Sequence, residues 1–257
     1  MDITGNTIFI PGATSGIGLA LAVALADRGN TVIVGGRRAE LLDQIAAEHG
    51  LDTVRIDTAD AASIAEAAAA VVERHPDLNV LVTMAGIMRP EDWTTPYGDG
   101  DGQGFVAHAE QTVTTNLLGP IRLIGAFIEH LLAQPRATIM TVSSGLAFAP
   151  LRITPTYNAT KAAIHMLSES IRLQLDGTSV EVVELEPPAV RTDLMPGQRE
   201  SDVAMPLEDF VAEVVGLIEE QPDAREIQVE NVRFLRYGEA RGDYDQVVAT
   251  LNRLDPH

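Results

Sequence analysis

The sequence predicts a doubly wound α/β fold: one mostly parallel sheet of seven strands with helices on both faces. Three observations carry this. Short apolar runs alternate with helical stretches of ten or more residues from the N-terminus onward, which is the pattern of βαβ units and a parallel sheet. A glycine-rich turn stands between the first apolar run and the first helix, the position such a turn takes in doubly wound folds. No repeat, low-complexity tail or linker interrupts the 257 residues, so a single domain spanning 1–257 is expected.

The elements follow in order. Thr7–Pro11 is the first strand, then Gly12-Ala-Thr-Ser-Gly16-Ile-Gly18, then a helix from Leu19 to Arg28 closed by Gly29. Thr31–Gly35 is a second strand, followed by a helix from about Ala39 to His49. Val54–Asp57 and Asn79–Thr83 are the third and fourth strands, with a helix from Ser63 to Arg74 between them. Residues 88–104 are dense in Pro, Gly and Asp and read as a loop. A long helix is expected from Phe105 to Leu132, a fifth strand over Ala137–Val142, a helix from Pro155 to Leu175 and a sixth strand over Val180–Leu185. Residues 187–201 read as irregular; a helix near Pro206 to Glu220, a short strand over Glu226–Val229 and a closing helix from Tyr244 to Leu254 complete the chain.

Chemistry concentrates at Tyr157 and Lys161. Their four-residue spacing puts both on one face of the helix, a turn apart. A phenol alone titrates near pH ~10, and a cation within ~4–6 Å favours the phenolate. The pair is therefore suited to give and take a proton near neutral pH. Ser144 stands thirteen residues before Tyr157, where the fifth strand ends. A Tyr and a Lys at this spacing also arise by chance on many helices; the company they keep sets these two apart.

A glycine-rich bend at a helix start aims backbone N–H groups and the positive helix end at a phosphate. Gly12 permits the tight turn, while Gly16 and Gly18 allow close approach of a cofactor. Past the second strand, binders of the unphosphorylated dinucleotide usually place an acid on the ribose. Here the residues are Gly35-Gly36-Arg37-Arg38, and two guanidiniums suit a 2′-phosphate. NADP(H) is accordingly expected over NAD(H), the alternative being a solvated charge pair that opens a helix. Asp57 could accept from an adenine amino group or cap the next turn. Asn116 sits inside the long helix, where amides are poor formers, and either bonds across the core or holds a water.

Composition narrows the partners. The formal net charge of −19 repels nucleic acid and anionic lipid, so neither a nucleic-acid nor a membrane partner is expected. The absence of cysteine suits a reducing, cytoplasmic setting. The first residues lack a secretory signal, and no uninterrupted apolar run approaches the ~18 residues that span a bilayer. The six histidines show no ligand spacing, so no metal is expected. Asp99-Gly-Asp101-Gly-Gln103-Gly104 with Glu110 nearly matches a calcium-loop pattern, but Gln103 replaces an acid and residues 96–98 deny it an entering helix.

Taken together, Gly12-x-x-x-Gly16-Ile-Gly18, Asp57, Ala85-Gly86, Asn116, Ser144 and Tyr157-x-x-x-Lys161 resemble the short-chain dehydrogenase/reductase family, from about Thr7 to Thr192. The Arg-Pro-Glu-Asp stretch at 89–92 and the Val-Arg-Phe-Leu-Arg run at 232–236 resemble the DltE-like oxidoreductase branch. The resemblance implies a Rossmann domain acting on a small-molecule carbonyl or alcohol. In it Tyr157 is the proton donor for reduction, Lys161 lowers its pKa and binds the nicotinamide ribose, Ser144 holds the substrate oxygen, and Asn116 holds a relay water. It places Thr14, Ser15, Ile17, Arg37, Arg38, Thr58, Ala85, Gly86, Val190 and Thr192 with the cofactor. It also implies a homo-oligomer, tetramer or dimer, through the long helix and the Tyr157 helix.

Three positions depart from the family pattern. Pro11 stands where a Thr is common, Thr83-Met84 where Asn-Asn is common, and Pro188 where Gly is common. These departures bear on the cofactor loop and on hydrogen bonding at the sheet edge. An apolar substrate wall is expected from Leu146, Phe148, Leu151, Leu194 and Met195, with Trp93 a further candidate.

Overall fold

The computed structural model describes residues 1–94 and 104–253. Its strands are β1 (Thr7–Pro11), β2 (Thr31–Gly36), β3 (Asp52–Arg55), β4 (Val80–Thr83), β5 (Ala137–Val142), β6 (Val180–Leu185) and β7 (Glu226–Ile227). They form one sheet in the order β3-β2-β1-β4-β5-β6-β7. Every pairing is parallel, where a mostly parallel sheet was expected. The helices are α1 (Gly16–Ala26), α2 (Ala39–His49), α3 (Ala61–Arg74), α4 (Gly104–Val113), α5 (Gly119–Ala133), α6 (Pro155–Gln174), α7 (Leu207–Glu220), α8 (Arg233–Arg236), α9 (Gly238–Arg241) and α10 (Tyr244–Arg253).

A parallel sheet with both faces covered needs apolar residues at consecutive strand positions, and β1 is buried throughout. Ile8 and Ile10 join a core with Leu21 and Leu25 of α1 and Phe210 and Val214 of α7. Phe9, between them, points to the opposite core of Ile64, Val71, Leu123 and Phe127 from α3 and α5. Its ring lies 5.5 Å from that of Phe127. Each such side chain contributes about 1.5–3 kcal/mol when withdrawn from water. Pro11 does not disturb the register: it pairs with Gly35, and the next residue, Gly12, donates its N–H to the Gly35 carbonyl at 2.8 Å.

Local side chains account for several differences from the expected boundaries. The Asp60 side chain accepts the Ala62 N–H at 2.9 Å, so α3 starts two residues before Ser63. Asp57 accepts the Ala59 N–H at 3.0 Å, which takes it out of β3 and into a turn. The long helix is two helices joined by a π-helical turn, Thr114–Leu118. β7 stops at Ile227, and α8 and α9 occupy a stretch where no element was expected. Leu254 and the calcium-loop positions Asp99, Asp101 and Gln103 lie outside the described residues.

By length and composition, the helical stretch Gly104–Ala133 is long and apolar enough to cross a membrane, with mean hydropathy 1.2 in its best window. The expectation from uninterrupted apolar runs missed this, because Arg122, Glu129 and His130 break the run while the Leu, Ile and Phe residues between them keep its average high. In this fold Leu123, Phe127 and Leu131 of that stretch are buried against the sheet.

Candidate active site

The strand order reverses between β1 and β4, and a crevice opens beyond the carboxyl ends of these strands, as doubly wound folds require. Gly12 follows β1 and Ala85-Gly86 follow β4. Gly12 has φ +89° and a Cβ there would lie 2.5 Å from the Ala85 Cα, so only glycine fits. Gly18 lets α1 sit on the turn, since a Cβ there would meet the Ala13 Cα at 2.8 Å. The first turn of α1 carries no acidic residue, which leaves its positive end free for an anion.

A cavity of about 440 Å³ runs from this turn to Tyr157. Gly12, Ser15, Gly16, Ile17, Gly18 and Arg37 line one end, Ser144, Tyr157 and Lys161 the other, and Gly86, Val190 and Thr192 the walls. The remaining expected cofactor residues lie outside this lining. Thr14 packs beneath Gly36, and its hydroxyl is 3.5 Å from Nη2 of the exposed Arg38. Asp57 is engaged in its own turn, Thr58 is buried, and Ala85 packs on Gly12. The glycine cradle, the bare helix end and the Arg37 guanidinium fit a nicotinamide dinucleotide.

Tyr157 and Lys161 lie on α6, each 6% exposed, as is Ser144. Lys161 donates from Nζ to the Val142 carbonyl at 2.7 Å, and Nζ is 5.5 Å from the Tyr157 ring centroid. Burial pushes the Tyr157 phenol up to about 12, opposed by a hydrogen bond from Ser144. Burial pulls Lys161 down to about 8, opposed by the charge of Glu184. A phenol lowered by its lysine was expected from the spacing. Withdrawal from water outweighs the opposing contact at each group, Ser144 at Tyr157 and Glu184 at Lys161. The Ser144 hydroxyl also reaches the Pro187 carbonyl, at 3.4 Å, and accepts the Leu146 N–H at 3.2 Å.

Asn116, 2% exposed, lies in the π-helical turn. Its Oδ1 accepts the Ile87 N–H at 2.8 Å and its Nδ2 donates to the Ile87 carbonyl at 2.8 Å. This cross-core bond pins the segment after β4 beside Lys161. The π turn supplies the rotation that aims the amide there. Of the two other departures, Thr83 leaves its hydroxyl buried and unpartnered, and with Pro188 in the glycine's place the preceding residue, Pro187, still accepts the Gly145 N–H at 3.0 Å.

A second, larger cavity of about 840 Å³ opens beside the first. Leu146, Leu151, Leu194 and Met195 line it as expected. Phe148 does not: its ring packs edge-on to His165 and beneath Arg236. Trp93 stacks on Phe105 instead, 4.7 Å between centroids. The far wall was missed by sequence reasoning: Arg233, Phe234 and Leu235 of α8 and Thr250 and Leu251 of α10. The run at 232–236 was read only as a mark of resemblance, and nothing in it shows that the C-terminal helices bring it, with Thr250 and Leu251, to the site. One sequence signal for Lys161 was also overlooked. It is the chain's single lysine among 18 Lys and Arg residues.

The family model described as short chain dehydrogenase matches residues 6–202. This chain belongs to the short-chain dehydrogenase family. It is 37% identical over 257 residues to the uncharacterized oxidoreductase DltE of Bacillus subtilis, covering 98% of each chain. It is 30% identical over 213 residues to human retinol dehydrogenase 13, covering 75% of this chain and 61% of that one. The fold is that of a short chain dehydrogenase from Burkholderia cenocepacia solved with NADP, at TM-score 0.79, 24% identity and 98% and 99% coverage. It is also that of a short chain dehydrogenase/reductase from Burkholderia phymatum solved with NAD, at TM-score 0.75, 20% identity and 100% and 99% coverage. As a short-chain dehydrogenase the protein is an oxidoreductase of Rossmann-type fold. The family model ends at residue 202, so the far wall of the larger cavity is built by the part of the chain beyond it.

Proposed function

We propose that this oxidoreductase transfers hydride reversibly between NADP(H) and a moderately hydrophobic ketone or the matching secondary alcohol. One observation carries the reading: the glycine-cradle cavity and the larger apolar cavity meet at Ser144 and Tyr157, which line both. A carbonyl held there faces a proton donor on one side and the cofactor cleft on the other. The bound nicotinamide supplies or takes the hydride. Tyr157 gives its phenolic proton to the oxygen as the carbonyl is reduced and takes it back in oxidation. Ser144 donates to that oxygen as negative charge grows on it, and the Lys161 ammonium stabilises the phenolate left behind.

Arg37 in the cofactor cavity, with no acid in its place, supports the phosphorylated dinucleotide. A cavity of about 840 Å³ with mainly aliphatic walls supports a substrate of drug-like size and low polarity. Leu118, Ile121, Leu132, Met166 and Leu173 are exposed on the π turn, α5 and α6, which supports a homo-oligomer formed through these helices. A monomeric mass in solution scattering refutes that last point.

The test of the reaction is Tyr157→Phe. The variant is expected to lose about 10²–10⁴-fold in kcat, on a panel of ketones followed by nicotinamide absorbance, while binding NADPH as the parent does. Unchanged turnover in that variant, or no turnover of any carbonyl or alcohol by the parent, overturns the reading.

A further inference from the structure

Tyr157, Lys161 and His165 follow at four-residue steps along α6 and so share one face, a turn apart. His165 directs Nδ1 to both carboxylate oxygens of Glu184, at 2.9 and 3.1 Å. Glu184 lies in β6 opposite Thr141 of β5 and is 0% exposed. The next residue of β5, Val142, receives the Lys161 ammonium at 2.7 Å. The carboxylate and the ammonium thus meet the sheet at neighbouring positions.

Three carboxylates and three basic side chains gather here, and the contacts divide them. Arg236 stacks on Phe148 at 4.2 Å and faces Glu226 at 3.2 Å and Glu186 at 3.4 Å. Gln228 donates to Glu186 at 3.1 Å. Burial, with the charges of Glu184 and Glu226, pushes Glu186 up to about 8, so it adds little negative charge at neutral pH. Glu184 is left to the α6 side, to His165 and Lys161. His165, Glu184, Glu186 and Glu226 offer ligand atoms within 4.8 Å of one another, but Arg236 and His165 already oppose their charge, so the group is an internal ion network.

We propose that Glu184 is the buried counter-charge of Lys161, its carboxylate shared with His165. It is a positioning residue: it touches neither cavity and acts through the ammonium. A buried ammonium tends to shed its proton, and the Glu184 charge is what resists this at Lys161. Its catalytic meaning rests on the hydride-transfer reading above, but its test does not.

Because Lys161 is the only lysine, protein labelled with [ε-13C]lysine shows one side-chain methylene signal, whose shift against pH reports this ammonium alone. Glu184→Gln is expected to lower the midpoint by about one pH unit, a tenfold weaker hold on the proton. Glu184→Asp, which keeps the charge, is expected to recover most of it. Thr141→Val removes the neighbouring 2.7 Å bond to Ser168 without touching a charge, and is expected to leave the midpoint in place. Should Glu184→Gln not fold, His165→Asn gives the test with opposite sign, since Glu184 then answers to Lys161 without a competitor and the midpoint rises. An unmoved midpoint in Glu184→Gln, an equal shift in Thr141→Val, or a midpoint not raised in His165→Asn overturns the proposal. Full turnover in Tyr157→Phe would instead overturn the redox reading and leave the titration result standing.

Discussion

The ammonium of Lys161 is moored to the carbonyl of Val142, at the end of β5, by a 2.7 Å hydrogen bond. The cation is therefore held by the sheet beside the Tyr157 ring. Its cost is desolvation, visible in a pKa of about 8 against the ordinary 10.5.

Lys161→Met is expected to stabilise the fold while abolishing turnover. The folded pKa lies below the unfolded one, so between pH 8 and 10.5 the unfolded chain binds the extra proton and stability rises with pH. Below pH 8 the full penalty of the buried charge remains. Removing it at pH 7 is expected to gain about 1–3 kcal/mol, less the lost bond to Val142. Thermal melts of both proteins at pH 7 and pH 10 check this: the difference shrinks at the higher pH.

Gly12→Ala is expected to lower Tm by several degrees and weaken NADPH binding more than tenfold. Its φ of +89° and a Cβ 2.5 Å from Ala85 backbone together cost about 1–3 kcal/mol or more. Gly216→Ala in α7 meets nothing within 4 Å and is expected to add about 0.5–1 kcal/mol. Parallel melts and cofactor titrations of the two variants decide the matter.

Asn116→Leu leaves the Ile87 N–H and carbonyl without their partners. Each orphaned group costs about 1–3 kcal/mol, and the segment beside Lys161 loses its anchor. A lower Tm together with a raised KM for the cofactor is expected, and an unchanged KM would mean that the clamp does not shape the cleft.

Arg37→Ser is expected to cut kcat/KM for NADPH by about 10–100-fold, the worth of a charge-assisted contact of about 1.5–3 kcal/mol. The value for NADH should change by less than about threefold. Equal losses with both cofactors, or a parent that prefers NADH, would end the case for a 2′-phosphate site.

Much of this was legible along the chain. Local rules sufficed for the alternation of strands and helices, the turn at Gly12–Gly18, and the placing of Ser144, Tyr157 and Lys161 together, since each rests on residues close in sequence or on a motif of known order. Asp57 shows the limit: a strand-end acid reads equally as ligand or turn former, and the N–H of Ala59, two residues on, is what claims it. The π turn at Thr114–Leu118 left no periodicity to read, because one extra residue in a turn barely alters the apolar stripe.

By itself the sequence determined the parallel α/β architecture, because apolar periodicity and glycine spacing act over a few residues. It also set Tyr157 and Lys161 on one face of a helix, through a four-residue step. Only the tertiary structure decided which carboxylate faces Lys161, why Phe148 and Trp93 leave the substrate wall, and how α8 and α10 close it. Those outcomes depend on charges and surfaces from α6, β6, β7 and the C-terminal helices meeting across the sheet edge, where burial amplifies each contact and sequence distance says nothing about proximity.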